Sequence, residues 1–129
     1  MKRFLSIAAI LLAFTCCILL ALNIWIGKDV KSNIQLVQLQ YPGSAEDALI
    51  AFLHDSAQSP SDKTHIAVWT LGRIDSEKAL PELYKLYRND PEGKSCSGHH
   101  DQQICQYEIH KAIRAIEKKQ LFSHQRFNR

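Results

Sequence analysis

The chain has no strong excess of one charge. Its 16 Lys and Arg against 13 Asp and Glu leave a formal +3, which argues against the basic stripe of a dedicated nucleic-acid binder. It lacks the short Cys-x2-Cys pairs of common zinc sites. His54, His65, His110 and His124 are scattered, with no cysteine or carboxylate spaced to make a triad. No catalytic constellation is legible, so neither an enzyme nor a cofactor is expected. Glu46, Asp47, Glu77 and Glu82 fit placement near helix N-termini better than acid–base work. At 129 residues there is room for one small domain beside the N-terminal segment.

The N-terminus lacks charge altogether from Phe4 to Ile26, behind Lys2 and Arg3. That is slightly more than the ~20 residues a helix needs to cross a hydrocarbon core. A cleavable signal has a shorter apolar centre and small residues before the cut, where this chain offers Leu20 and Leu22. Lipoprotein processing at Cys16 or Cys17 would follow Phe14 and Thr15, a poor fit. A cleaved signal or a lipoprotein therefore stands as the alternative, and an uncleaved anchor over 4–27 is the expectation. Residues 1–3 then stay in the cytoplasm and the remainder crosses the inner membrane, in a bacterium to the periplasm. Trp25 falls at headgroup level. Cys16 and Cys17 read as small apolar fillers in the span.

Beyond the anchor, residues 28–43 show a broken alternation: Ile34, Leu36, Leu39 and Tyr41, with Val37 out of phase. An extended linker is expected there, with a short strand as its sharper form, ended by Pro42–Gly43. From Ser44 the period turns helical. Ser44 and Asp47 resemble a capping box, and Ala48, Leu49, Phe52 and Leu53 form one stripe. Ser59 caps a second helix with Pro60 at its first position and Ala67, Thr70, Leu71 and Ile74 on its apolar face. A third is expected from Asp75 as cap, with Ala79, Leu80, Leu83, Tyr84 and Tyr87 inward and Pro81 forcing a bend or a late start. The fourth carries Cys105, Ile109, Ala112, Ile113 and Ile116. The expected fold is all-α, with two helix pairs over 44–119 and a basic flexible tail over 120–129.

The pairs look like two copies of one unit. "EDALIAFL" aligns with "EKALPELY", and "LGRI" with "IRAI", the second copy carrying extra chain in its turn, about Asp90 to Gln102. The stretch "AVWTLGRIDSEKALPELYKLY", through Leu71, Gly72, Ile74, Asp75, Ala79, Leu80, Pro81 and Leu83, resembles a HEAT repeat of the bilin-lyase-type HEAT-like subgroup. The resemblance covers about Ser61 to Tyr87 and weakly Gln103 to Lys118. It implies antiparallel helix pairs stacked as a short solenoid that binds protein. No family catalytic residue maps onto this chain, and a shared scaffold does not transfer lyase chemistry. Two repeats leave end faces for a dimer mate, a partner protein or the chain's own termini to cover.

The inserted turn holds "KSCSGHHDQQIC", Lys94 to Cys105. Three readings are open. A Cys96–Cys105 disulfide suits the periplasmic side and would stabilise a small domain by about 2–3 kcal/mol. Zinc held by Cys96, His99, His100 and Cys105 is chemically allowed, although two adjacent histidines strain to serve one ion. Free thiols fit only a cytosolic domain. Arg73 is read as pairing with an acid across the helix stack. In the tail, Lys111, Arg114, Lys118, Lys119, Arg126 and Arg129 are candidates for an acidic partner or anionic headgroups; the plainer reading is charge placed near a helix C-terminus. The expected function is a membrane-anchored, non-enzymatic adaptor or assembly module for an envelope protein. A ligand- or metal-binding envelope sensor using the Cys96–Cys105 loop is the alternative.

Overall fold

In an apolar run every backbone N–H and C=O must be satisfied within the segment, and a helix does this without a neighbour. The computed structural model describes residues 2–99 and 101–127, without the side chains of residues 2, 3, 5 and 121–127. Its first helix, α1, spans Lys2–Gln38. From Ser6 it is long and apolar enough to cross a membrane, and none of its apolar window is buried. Two polar side chains inside the run bond back to their own helix. Thr15 Oγ1 donates to the Leu11 carbonyl at 2.8 Å, and Asn23 Nδ2 to that of Leu19 at 2.9 Å. Trp25 is exposed on this helix.

The chain divides between Ser32 and Asn33 into two units. The end of α1 belongs to the second, which corrects the extended linker expected over 28–43. Helix continues through Gln38, and Val37 is fully buried in the core with Ile34 and Tyr41 packed beside it. Positions 34, 37 and 41 repeat at three and four residues, a helical period that the exposed Leu36 and Leu39 disguise as alternation. Asn33 Nδ2 donates to Thr70 Oγ1 at 3.0 Å, tying this turn to the chain two helices on.

The rest of the second unit is helical, with no strand among the described residues. Helix α2, Ala45–His54, starts where the Ser44 side chain accepts from the Asp47 N–H, and buries Ala48, Leu49, Phe52 and Leu53. Asp55 ends it; its N–H reaches the Ala51 and Phe52 carbonyls. A continuous helical path follows: α3, Pro60–Asp62, capped by Ser59; a π-helical segment, Lys63–Val68; and α4, Trp69–Arg73. Asp75 is not the cap of the next helix. It takes φ +54° just past α4, and the Ser76 N–H closes onto the Leu71 carbonyl at 3.1 Å. That is the left-handed residue and six-to-one bond of a Schellman ending.

Pro81 delays the next α-helix. A 3-10 turn, Glu77–Ala79, leads into α5, Leu80–Leu86, with the proline in its first turn, where no N–H is needed. Leu83 and Ala79 face inward, but Tyr84 is half exposed and is not core. The inserted turn then runs to Cys105, and α6 spans Gln106–Phe127. Ile109, Ala112, Ile113 and Ile116 of α6 are buried. The π segment, α4 and α5 all pack on α6. Where α4 meets α6, a Cβ on Gly72 would stand 2.9 Å from both Cα and Cβ of Ala112. Only glycine allows that approach.

Candidate functional site

The inserted turn is built from the inside out. Asp90 accepts from the Ser95 N–H at 2.8 Å, the Ser95 hydroxyl at 2.7 Å and the Lys94 N–H at 3.1 Å. These bonds, Ser95's first, hold the Asp90 carboxyl below its ordinary range. Gly93 turns the chain at φ +66°, where a Cβ would meet Tyr107 Cβ at 2.7 Å. Cys96 and Cys105 follow, both buried, their Cα atoms 5.1 Å apart and their sulfurs at disulfide distance. The Cys105 N–H donates to Thr64 Oγ1 at 3.0 Å, while that hydroxyl donates to the Pro60 carbonyl at 2.8 Å. The cysteine pair is thereby tied to the start of the π segment.

Gln106, beside it and buried, closes the other end of the turn. Its Oε1 accepts from the Arg88 N–H at 2.6 Å and its Nε2 donates to the Leu86 carbonyl at 3.2 Å. Sequence reasoning missed this residue, whose two partners lie outside its own helix. Of the other candidate metal ligands, exposed His99 places Nδ1 2.9 Å from the Ser97 carbonyl, and His100 lies outside the described residues. Among the described residues, no three His, Cys, Asp or Glu side chains converge as a metal site would require.

A different feature emerges where α4 crosses α6. A cleft of about 340 Å³ is lined by Trp69, Gly72, Arg73 and Asp75 on one side and by Glu108, Lys111, Ala112 and Ala115 on the other. The spacing of Trp69 and Arg73 puts both on one helix face. The Arg73 guanidinium carbon lies 5.4 Å from the Trp69 ring centroid, within cation–π range. Lys111 pairs with Glu108 at 2.9 Å and stands 4.8 Å from the Tyr107 ring centroid. Asp75 pairs with Lys119 at 2.8 Å. Arg73, expected to pair with an acid, has no carboxylate within ion-pair distance among the described residues; its charge rests on an indole face. The cleft was illegible in the sequence because its walls come from segments about 40 residues apart. The one local signal was the pairing of Trp69 and Arg73 one turn apart.

The basic candidates scatter over α6. Lys111 and Lys119 are engaged at the cleft, exposed Arg114 lies 3.6 Å from Glu117, and Lys118 is exposed. The Arg126 side chain and Arg129 lie outside the described residues. Tyr84 donates to Glu117, which raises the tyrosine's pKa. The Tyr87 hydroxyl meets His110 Nδ1 at 3.2 Å with the two rings stacked.

The fold and site define a helical chain with one N-terminal helix long and apolar enough to span a membrane. No family model matches it, nor does any curated protein or solved structure.

Proposed function

We propose that the chain is a membrane-tethered, non-enzymatic helical module that serves as an adaptor or assembly factor for proteins of the cell envelope. In this reading the helical domain lies on the periplasmic side of the inner membrane. One observation carries this reading: an apolar N-terminal helix of spanning length precedes a domain whose Cys96 and Cys105 stand at disulfide distance. A thiol pair so placed is useful where disulfides persist, and Lys2 and Arg3 ahead of the helix favour the orientation that puts the domain there. The HEAT-like resemblance over Ser61 to Tyr87 supports a protein-binding role for the helix pairs.

Two measurements test it. In intact cells, Cys96 and Cys105 should resist alkylation until reductant is added, then take up two labels. Labelling of both thiols without reductant overturns the address. Proximity crosslinking of the anchored protein should recover specific envelope proteins, and recovery at background level overturns the adaptor role.

A further inference from the structure

The cleft between α4 and α6 is not explained by the fold that frames it. Its charged residues sort into satisfied and unsatisfied. Glu108 is matched by Lys111 at 2.9 Å and Asp75 by Lys119 at 2.8 Å. Arg73 is the exception: no carboxylate among the described residues lies within ion-pair distance of it, its guanidinium stands over the ring of Trp69, and its side chain is exposed at the cleft wall. Among the described residues, the rim therefore presents one cation without an ion-pair partner. A guanidinium is a planar fork of donors suited to a carboxylate, and stacking on an aromatic leaves its edge N–H groups free to bond. Between the charged rims the lining is apolar and small, made by the Trp69 ring with Gly72, Ala112 and Ala115. A volume of about 340 Å³ falls at the lower end of the range for pre-formed ligand sites.

We infer that this cleft is the docking site for an acidic segment of a partner protein: one Asp or Glu carboxylate on the Arg73 guanidinium, with a flanking apolar side chain on the Trp69–Ala115 floor. Charge complementarity selects this occupant. Arg73, the one cleft cation without a carboxylate among the described residues, is bordered by two carboxylates already paired, so it matches one negative charge and disfavours a phosphate dianion. The apolar floor gives a free anion such as acetate nothing to bury. The assignment rests on the adaptor reading and names which surface of the domain meets the partner. Arg73 supplies the charge-assisted bond, the Trp69 ring lies under its guanidinium at cation–π distance, and the Gly72–Ala112 approach sets the depth of the floor.

The test uses the full chain in neutral detergent micelles with Trp25→Phe, which leaves Trp69 as the sole tryptophan of the two. The probes are acetylated, amidated pentapeptides with a central Asp or Glu between apolar residues, and matched peptides with Asn or Gln. Acidic peptides should shift Trp69 emission and the matched amides should not. Arg73→Gln should weaken acidic-peptide binding by about tenfold, the scale of one charge-assisted interaction, with Arg73→Lys intermediate. Ala115→Leu, an exposed change on the floor, should block binding with Arg73 intact. Equal binding of acidic and amide peptides, an unchanged affinity in Arg73→Gln, or the same shift from acetate or inorganic phosphate overturns the assignment. If crosslinking recovers envelope partners equally with and without Arg73→Gln, the cleft assignment fails and the adaptor reading stands. If no partner is recovered while peptide binding still depends on Arg73, the adaptor reading fails and the cleft stands.

Discussion

Ser76 buries its hydroxyl at 1% exposure with no hydrogen-bond partner among the described residues, although its backbone N–H and C=O are both used in turns. Burying an unpaired hydroxyl costs about 1–3 kcal/mol on protein mutational scales. Ser76→Ala is therefore expected to raise stability by about 1 kcal/mol, read as a higher Tm of the full chain in detergent. A lower Tm would show that the hydroxyl has a partner. Gln106 is the opposite case. Replacing it with Leu strands the Arg88 N–H and the Leu86 carbonyl together, for a loss of about 2–3 kcal/mol. Equal stability of Gln106→Leu would mean that water reaches both groups. Ser44 and Ser59 were legible as caps because the N–H they accept lies three residues along. Gln106 was not, because nothing local distinguishes a glutamine that bonds 18 and 20 residues back from one that faces water.

At the scale of elements, apolar stripes and several helix starts were readable, and the ends of α1 and α4 were not. The stripes of α2 and α6 follow from spacing alone, as does the late start of α5 at Pro81. The end of α1 was hidden because its buried positions, Ile34 and Val37, share the segment with exposed Leu36 and Leu39. The π segment has no signature in residue type, and Asp75 looks like an N-cap until its positive φ places it behind α4. The crossing of α4 on α6 depends on an absence, the missing Cβ of Gly72. Alanine in mid-helix gains about 1 kcal/mol of propensity over glycine. Here the new methyl would lie 2.9 Å from the backbone Cα of Ala112, an overlap that a rotamer change cannot relieve. Overpacking of this kind costs about 1–3 kcal/mol, so the overlap outweighs the propensity. Gly72→Ala should lower Tm and shift Trp69 emission as α4 moves outward. Ala112→Gly added to it should rescue little, because the Cα remains. A Gly72→Ala variant as stable as the parent would show that the two helices are free to separate.

At the scale of the second unit, its outer ties share one direction of response to acid. Asp47 is held below its ordinary pKa by hydrogen bonds from Lys78 and Ser44, and Asp55 by those from Tyr41 and the Ala57 N–H. Glu82 is held down by Lys85 and further by His54, 3.0 Å away, and Asp90 by Ser95. A carboxyl with a depressed folded pKa contributes stability that is present above its unfolded value, about 4, and lost as pH falls through the folded one. The phenols and Lys78 behave oppositely. Asp55 raises Tyr41, Glu117 raises Tyr84 and Asp47 raises Lys78. Their contributions are present below about pH 10 and lost as pH rises through the raised values. These ties should therefore cost the domain Tm below about pH 4 and again above about pH 10. Tyr41 and Asp55 form one hydrogen-bonded pair that bears on both limbs, linking the end of α1 to the end of α2. Tyr41→Phe removes the first cause of the Asp55 depression, and with it the phenol that titrates late. Its Tm profile should lose less on acidification than the parent's and less on the alkaline side. The comparison is a set of thermal melts from about pH 2 to 11, at low and moderate salt because these groups face solvent. Two profiles of identical shape would mean that the bond between Tyr41 and Asp55 does not form in solution.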